Sequence, residues 1–487
     1  MSLRRVYRRR VSPRTVSPRT VSLWGLALLA LPLTIAPAWA RPTDGGRWAY
    51  DDTDTVSSVD GPTGRVRVWY SASGNNAVKA GDSDSDGVPD FAWEVAETTE
   101  AVLDRYAQVG FRLPIEDGTR GGGPEMDVYL VDFGGDADGA WSSEACDDAG
   151  RCTGHFVMEN DFAGYGYGNP TEAIRTLTSH ELFHGVQAAY DSREPVWFSE
   201  GTATWAEALF DPESTDFVRF CDAYLTDTGR SLDEPPAGPV PTFAYATALW
   251  WWFLADQHGD VLLVDLLEAT DGADGVLPDM EALIVAAGSD LRTDWSGFAS
   301  WNLATGSRAG ALDGYPFARR IGPVRASAEG ATIDDENRYY PLAATYYEVA
   351  HPGGPLGVAL ATPAPELQFA LHAEDAEGRV LPAERTFDGS EPLAIEDLPA
   401  GTWWLVGSNP TLAESSTRVR TCVGPAAWTC VEGGLDTGAP ATTDTGETLD
   451  EAGCAGCASG APRAPGTLPV GIGVVVGLVP VWRRRGA

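Results

Sequence analysis

The spacing of two histidines constrains this chain more than any other feature. In His180-Glu181-Leu182-Phe183-His184 the imidazoles stand four residues apart, and residues at that interval share a face on an α-helix. One metal ion can then sit between them while Glu181, one residue further round, reaches water beside it. With only six His in 487 residues, the pattern arises by chance in about half a per cent of chains of this composition. Two His on a helix face with ordinary hydrogen bonds are the alternative reading.

A third element stands at a suitable distance. The motif helix starts near Pro170 or Thr171, where a proline sacrifices no hydrogen bond, has Glu172 at the positive end of its dipole, and reaches Tyr190. Val196 to Glu207 reads as a second helix that carries another acid, Glu200. Two imidazoles and one carboxylate leave a fourth position on zinc open to water. His180, His184 and Glu200 are therefore the expected zinc ligands and Glu181 the expected general base.

This arrangement resembles the gluzincin metalloproteases, the broad group of thermolysin and the zinc aminopeptidases, whose third ligand is a Glu on the helix after the motif helix. The fifteen residues between His184 and Glu200 are a shorter spacing than that group's. The metzincin pattern fails, because Gln187 and Tyr190 stand where it needs Gly and His. Much of residues 64 to 260 is similar to a sequence-defined family of secreted metalloproteases of myxobacteria and their relatives. The likeness lies in Gly87-Val88-Pro89-Asp90, a Val-Tyr-Leu strand, His180-Glu181 followed by Gln187 and Tyr190-Asp191, and Glu200-Gly201-Thr202-Ala203-Thr204-Trp205. It implies a catalytic type and a zinc ion, but no substrate.

The same resemblance implies an oxyanion donor, a Tyr or His in gluzincins, for which Tyr245 is the candidate. The simpler reading of Tyr245 is one more aromatic of a buried helix running to Leu254. Thermolysin-like enzymes orient an imidazole with an Asp four residues after the Glu ligand. Thr204 stands there, which leaves Glu207, on the same helical face as Glu200, as the substitute. An aminopeptidase also needs an acid for the substrate's amine. Phe156-Val157-Met158-Glu159-Asn160 matches that motif in part, and otherwise reads as the edge strand along which a substrate lies extended.

A second metal is expected at Asp82, Asp84, Asp86 and Asp90. They occupy positions 1, 3, 5 and 9 of a loop with Gly87 at position 6 and the Val88 carbonyl available, the ligand layout of calcium. Trp93 replaces the EF-hand's glutamate, so the loop resembles the short Asp-rich calcium loops of secreted proteins. An acidic turn capping the helix from about Phe91 to Gln108 is the alternative.

The expected fold is α+β: a gluzincin-like metalloprotease domain over 41–325, with a mixed sheet and a helical lobe, then a small β-sandwich over 326–432. Strands are expected at residues 64–70, 126–132 and 155–159, with a Gly- and Asp-rich loop holding Cys146 and Cys152. Past residue 325, short apolar runs between Gly, Pro and Asp turns give the sandwich pattern.

The ends of the chain carry addresses. Residues 1–40 form a basic, then apolar, segment ending Ala38-Trp39-Ala40, a secretory signal peptide with cleavage after Ala40. Residues 433–465 are a Gly-, Thr- and Asp-rich linker containing Cys454 and Cys457, and 466–487 an apolar segment closed by Arg483-Arg484-Arg485. That tail resembles the Cys-containing sorting signals of myxobacterial exported proteins, which implies membrane retention, a processing protease as partner, and display on the cell surface (outer membrane) or release. A plain anchor helix is the alternative. In an oxidising compartment Cys146 with Cys152 and Cys422 with Cys430 are the economical disulfides, and Cys221 is left as a buried thiol. A net charge of −36 excludes a nucleic-acid partner. The expected protein is a monomeric, secreted or surface-displayed zinc endopeptidase acting on protein or peptide substrates. The alternatives are a calcium-stabilised surface adhesin with a retired zinc site and a zinc aminopeptidase.

Overall fold

The computed structural model describes residues 40–425 apart from 239, 272–274 and 414. The expected signal peptide (1–40, except residue 40), Cys430, the expected linker with Cys454 and Cys457, and the terminal apolar segment lie outside the described residues. The described chain is α+β. Among the described residues, no helix is long and apolar enough to cross a membrane.

The first sheet is built from β1 (Val56–Asp60), β2 (Val66–Ser71), β3 (Met126–Val131), β4 (Gly139–Cys146) and β5 (Cys152–Glu159), in the order β1-β2-β3-β5-β4. The β2–β3 and β3–β5 pairs are parallel, the outer pairs antiparallel. Alternating Val66, Val68, Val128 and Leu130 face a layer of two helices, α1 (Asp90–Val109) and α2 (Pro170–Ala188). Helix α1 buries Val95, Val102, Leu103 and Tyr106 and ends where Gly110 takes φ 114°, a conformation that suits glycine. Helix α2 opens on Asn169, whose side chain accepts from the Glu172 amide, with Pro170 in the first turn.

Two expectations change here. The residues around Cys146 are a strand rather than a loop: Gly139 to Ser143 are buried in succession against α2, and only 147–151 turn back into β5. Strand β5, in turn, is paired on both sides, so the outermost strand beside the motif helix is β4. The Cys146–Cys152 disulfide closes the β4–β5 hairpin. Cys422 is also disulfide-bonded, and Cys221 is a free, buried thiol.

The helical lobe comprises α3 (Val196–Phe210), α4 (Val218–Leu225), α5 (Thr242–Ala246), α6 (Ala248–His258), α7 (Val261–Thr270), α8 (Val276–Ala286) and α9 (Leu291–Leu303). Its Trp-rich run is two helices, with the Thr247 hydroxyl at their junction tied to the Trp197 carbonyl at 2.6 Å. Trp250 packs against Trp295 and Phe298 in the centre of the lobe.

The remaining strands are β6 (Ala328–Gly330), β7 (Ile333–Tyr339), β8 (Ala343–His351), β9 (Gly354–Leu360), β10 (Ala364–Glu374), β11 (Val380–Gly389), β12 (Leu393–Leu398), β13 (Gly401–Asn409) and β14 (Thr417–Gly424). They form two sheets, β11-β10-β13-β8-β6 and β12-β9-β14-β7, with Val349, Leu371, Leu405 and Val419 between them. The larger sheet is buried on both faces. Ala344, Tyr346, Trp404 and Val406 join the apolar core of the helical lobe, and Tyr346 donates to the Ala299 carbonyl at 3.0 Å. Burial of a second face gives the sandwich a fixed seat on α9.

Candidate metal centre

Helix periodicity alone places His180 and His184 one turn apart on α2, and α3 crosses them with Glu200. Glu200 Oε2 lies 3.4 Å from His180 Nε2 and 3.7 Å from His184 Nε2. The three ligand atoms fall within 4.8 Å of one another, and none has a hydrogen-bond partner although all are buried. Orphaned polar atoms cost free energy in an apolar interior unless something completes them. Two nitrogen lone pairs and a carboxylate converging on one point fit a zinc ion with three protein ligands.

The other ring nitrogens settle which atoms face that point. His180 Nδ1 lies 2.9 Å from Glu207 Oε1, and His184 Nδ1 lies 2.8 Å from Gln187 Oε1. The Gln187 amide nitrogen is committed to the Ser199 carbonyl and the Thr202 hydroxyl, both at 2.8 Å, so its oxygen must accept. His184 therefore carries a proton on Nδ1, and the Glu207 contact holds His180 by the same ring atom, so that both Nε2 atoms are the ones turned toward Glu200. Glu207 takes the place that Thr204 does not fill; the Thr204 hydroxyl is buried without a partner. Glu207→Gln and Gln187→Ala should each weaken zinc binding by about 10- to 100-fold in a chelator competition, with the fold intact.

Glu181 is fully buried, and neither carboxylate oxygen has a partner. Strand β4 explains its position: a Cβ at Gly139 would stand 2.9 Å from Glu181 Oε1, so only glycine lets the strand pass this closely. Among the protein groups alone, burial lifts the Glu181 and Glu207 carboxyls to about 7. Burial opposes the charge on Glu200 too, but the two imidazoles outweigh it and bring that carboxyl to about 2.

The structure also brings Tyr245 to this group. Its ring stacks on His180 at 5.8 Å and on Phe220 at 4.9 Å. Burial, then the nearby Glu200, Glu181 and Asp138 carboxylates, push its phenol well above the ordinary range. His258 is held elsewhere, 2.6 Å from Asp294. Glu159 does not join the metal residues: it accepts from the Phe133 amide at 3.0 Å and the Tyr165 hydroxyl at 2.8 Å.

Sequence reading missed a second ring of charge. The Tyr167 hydroxyl donates to Asp138 at 2.8 Å, and Arg219, ion-paired with Asp216 at 2.9 Å, lies over the Tyr167 ring. Gln187 stands three residues after His184 and was detectable by helix spacing; Asp138, Tyr167 and Arg219 come from separate segments and leave no local signal.

In the Asp-rich loop the structure groups Asp82, Asp84 and Asp86, all exposed. Asp82 accepts from the Asp86 and Gly87 amides, and Gly87 turns the chain at φ 92°. Asp90 stands apart from these three and caps the Ser83 amide at 3.1 Å.

No family model matches the chain, and no curated protein matches it. Among solved structures it is similar over 19% of its length to a Yersinia pseudotuberculosis-derived mitogen (84% of that chain, 12% identity, TM-score 0.17). It is likewise similar over 19% to Aeromonas hydrophila PliG, a periplasmic lysozyme inhibitor of g-type lysozyme (82% of that chain, 14% identity, TM-score 0.15). Likeness of that degree says nothing about the fold or role of this chain.

Proposed function

We propose that this protein is an exported, zinc-dependent endopeptidase of gluzincin type. The observation that carries the reading is the buried, unpaired convergence of His180 Nε2, His184 Nε2 and Glu200 beside an equally unpaired Glu181. Zinc held by these three residues would supply Lewis acidity, activating water and polarising the scissile carbonyl. Glu181 takes the proton from the attacking water and returns it to the leaving amine. Glu207 and Gln187 keep the imidazoles in one tautomer, and Tyr245, its ring stacked on His180, is the candidate donor to the developing oxyanion. The outer edge of β4 gives an extended peptide a backbone to pair with. Because the ligand atoms are shielded from solvent, a peptide reaches them only once the residues that cover them move apart.

Metal analysis tests this directly. About one zinc per chain is expected, with casein hydrolysis that a chelator abolishes and added zinc restores. Protein free of zinc as isolated, with zinc unable to bind, would sink the reading.

Calcium at Asp82, Asp84 and Asp86, with the Val88 carbonyl, belongs to the same proposal, as a clamp ahead of α1; Asp90, engaged by Ser83, is not counted among the ligands. Calcium at about 100 times its dissociation constant should add roughly 2.7 kcal/mol to stability. The rise in thermal midpoint should vanish in Asp84→Ala, and an equal rise in that variant would exclude the loop. Export, surface display through the C-terminal tail and a processing protease as partner complete the proposal; they rest on the two chain ends.

A further inference from the structure

The metal centre is short of positive charge. Glu181, Glu200, Glu207, Asp138 and Asp216 gather around the two imidazoles, close enough for the charges of Asp138 and Asp216 to act on His180. Arg219, paired with Asp216, supplies one positive charge, and a divalent ion would add two. Part of that shortage falls on Asp138, outside the metal ligands and the general base. Asp138 is 2% exposed; its Oδ2 is fixed by the Tyr167 hydroxyl, whereas its Oδ1 is buried without any hydrogen-bond partner.

The position of that atom suggests what completes it. Asp138 immediately precedes Gly139, the residue through which β4 touches Glu181. A peptide lying along the outer edge of β4 would pass Asp138 as it passes the general base. Glu159, the acid that a partial aminopeptidase motif had offered for this purpose, is engaged by Phe133 and Tyr165 on β5, an interior strand. Asp138 is oriented, desolvated and unpaired, which is the condition in which a carboxylate discriminates most strongly between a cationic and a neutral partner.

We propose that Asp138 is a specificity residue: its Oδ1 accepts a cationic nitrogen of the substrate next to the scissile bond, so that the site takes peptides with a basic side chain or a free amino terminus there. The identity of the ligand as a peptide rests on the peptidase reading; the preference for positive charge does not.

Alanine-based octapeptides with a central Arg, citrulline or Glu, each with a free or acetylated amino terminus, test this on the zinc-loaded full-length protein. Citrulline keeps the shape of Arg without its charge. Hydrolysis should favour Arg over citrulline by about tenfold or more, the size of one charge-assisted hydrogen bond, with Glu last. If the bound cation is the α-amine, the preference follows acetylation instead. Asp138→Asn should abolish the preference, so that the Arg and citrulline peptides are handled alike; Tyr167→Phe, which keeps the carboxylate but frees Oδ2, should reduce it partway. Calorimetric titration of the same peptides into zinc-loaded Glu181→Gln should give the same ranking without turnover. Absence of hydrolysis by the wild type would count against the peptidase, and the titration would still decide the inference. Equal binding of charged and neutral peptides, no binding of either, or a cationic preference that survives Asp138→Asn would overturn it.

Discussion

Glu181→Gln is expected to bind zinc like the wild type and to lose casein hydrolysis by about 10²- to 10⁴-fold. Gln fills the same space beside Gly139 and leaves the three ligands untouched, but it has no basic oxygen to take the proton of the attacking water. Loss of hydrolysis accompanied by loss of zinc would trace the effect to the metal site instead. Hydrolysis at the wild-type rate would remove Glu181 from the mechanism.

The prediction is sharp because so little else at the site can substitute. Glu200 faces the two imidazoles as an expected metal ligand, Glu207 is committed to His180 and Glu159 to Tyr165. Apart from Glu200, the expected ligand, Glu181 is the acid of this group with both oxygens unpaired, and the outer strand passes directly over it. Asp138 is the next in line, yet its Oδ2 is held by Tyr167.

What the sequence disclosed follows the range of the interactions concerned. His180, Glu181, His184, Gln187, Glu200 and Glu207 all sit at helical intervals within two consecutive helices, so their mutual placement is nearly a local property. The Cys146–Cys152 pair is local in the same sense. Strand β4 was hidden because Gly139-Ala140-Trp141-Ser142-Ser143 lacks both alternation and β-branched residues; its burial comes from α2, not from its own pattern. The sandwich strands were legible one by one, whereas the outer faces of Tyr346 and Trp404 gave no sign that a helix would cover them. Asp138, Tyr167 and Arg219 meet only through the topology of sheet and helices.

Arg41→Ala is expected to destabilise the fold by about 3–5 kcal/mol at neutral pH, although residue 41 is far from the metal in sequence and belongs to no helix or strand. Its guanidinium is buried among Asp117, Asp127 and Glu144, which come from the loop before β3, from β3 itself and from β4. Alanine would leave three buried carboxylates facing His155, 3.2 Å from Glu144, the largely exposed Arg120, 3.8 Å from the same carboxylate, and the Trp69 indole N–H, which donates to Asp127 at 2.8 Å. The effect carries its own pH signature. Burial opposes the charge on Glu144, but Arg41 and His155 outweigh it and hold the carboxyl at about 2, below its ordinary value of 4.5. A group whose folded value is depressed stabilises above its unfolded value and loses that stabilisation as pH falls through the folded one. The share of the Arg41→Ala deficit that comes from Glu144 should therefore be full above pH 4.5 and shrink from there toward 2, as that carboxylate takes up a proton and no longer needs the guanidinium. Burial holds Asp127 at about 6 even beside Arg41, so its share closes earlier on the way down. Thermal unfolding of both chains in chelator, at several pH values between 7.5 and 3, separates this from any effect of zinc loss. An unchanged midpoint at pH 7.5, or a deficit that grows as pH falls, would show that Arg41 does not hold the end of the sheet by charge.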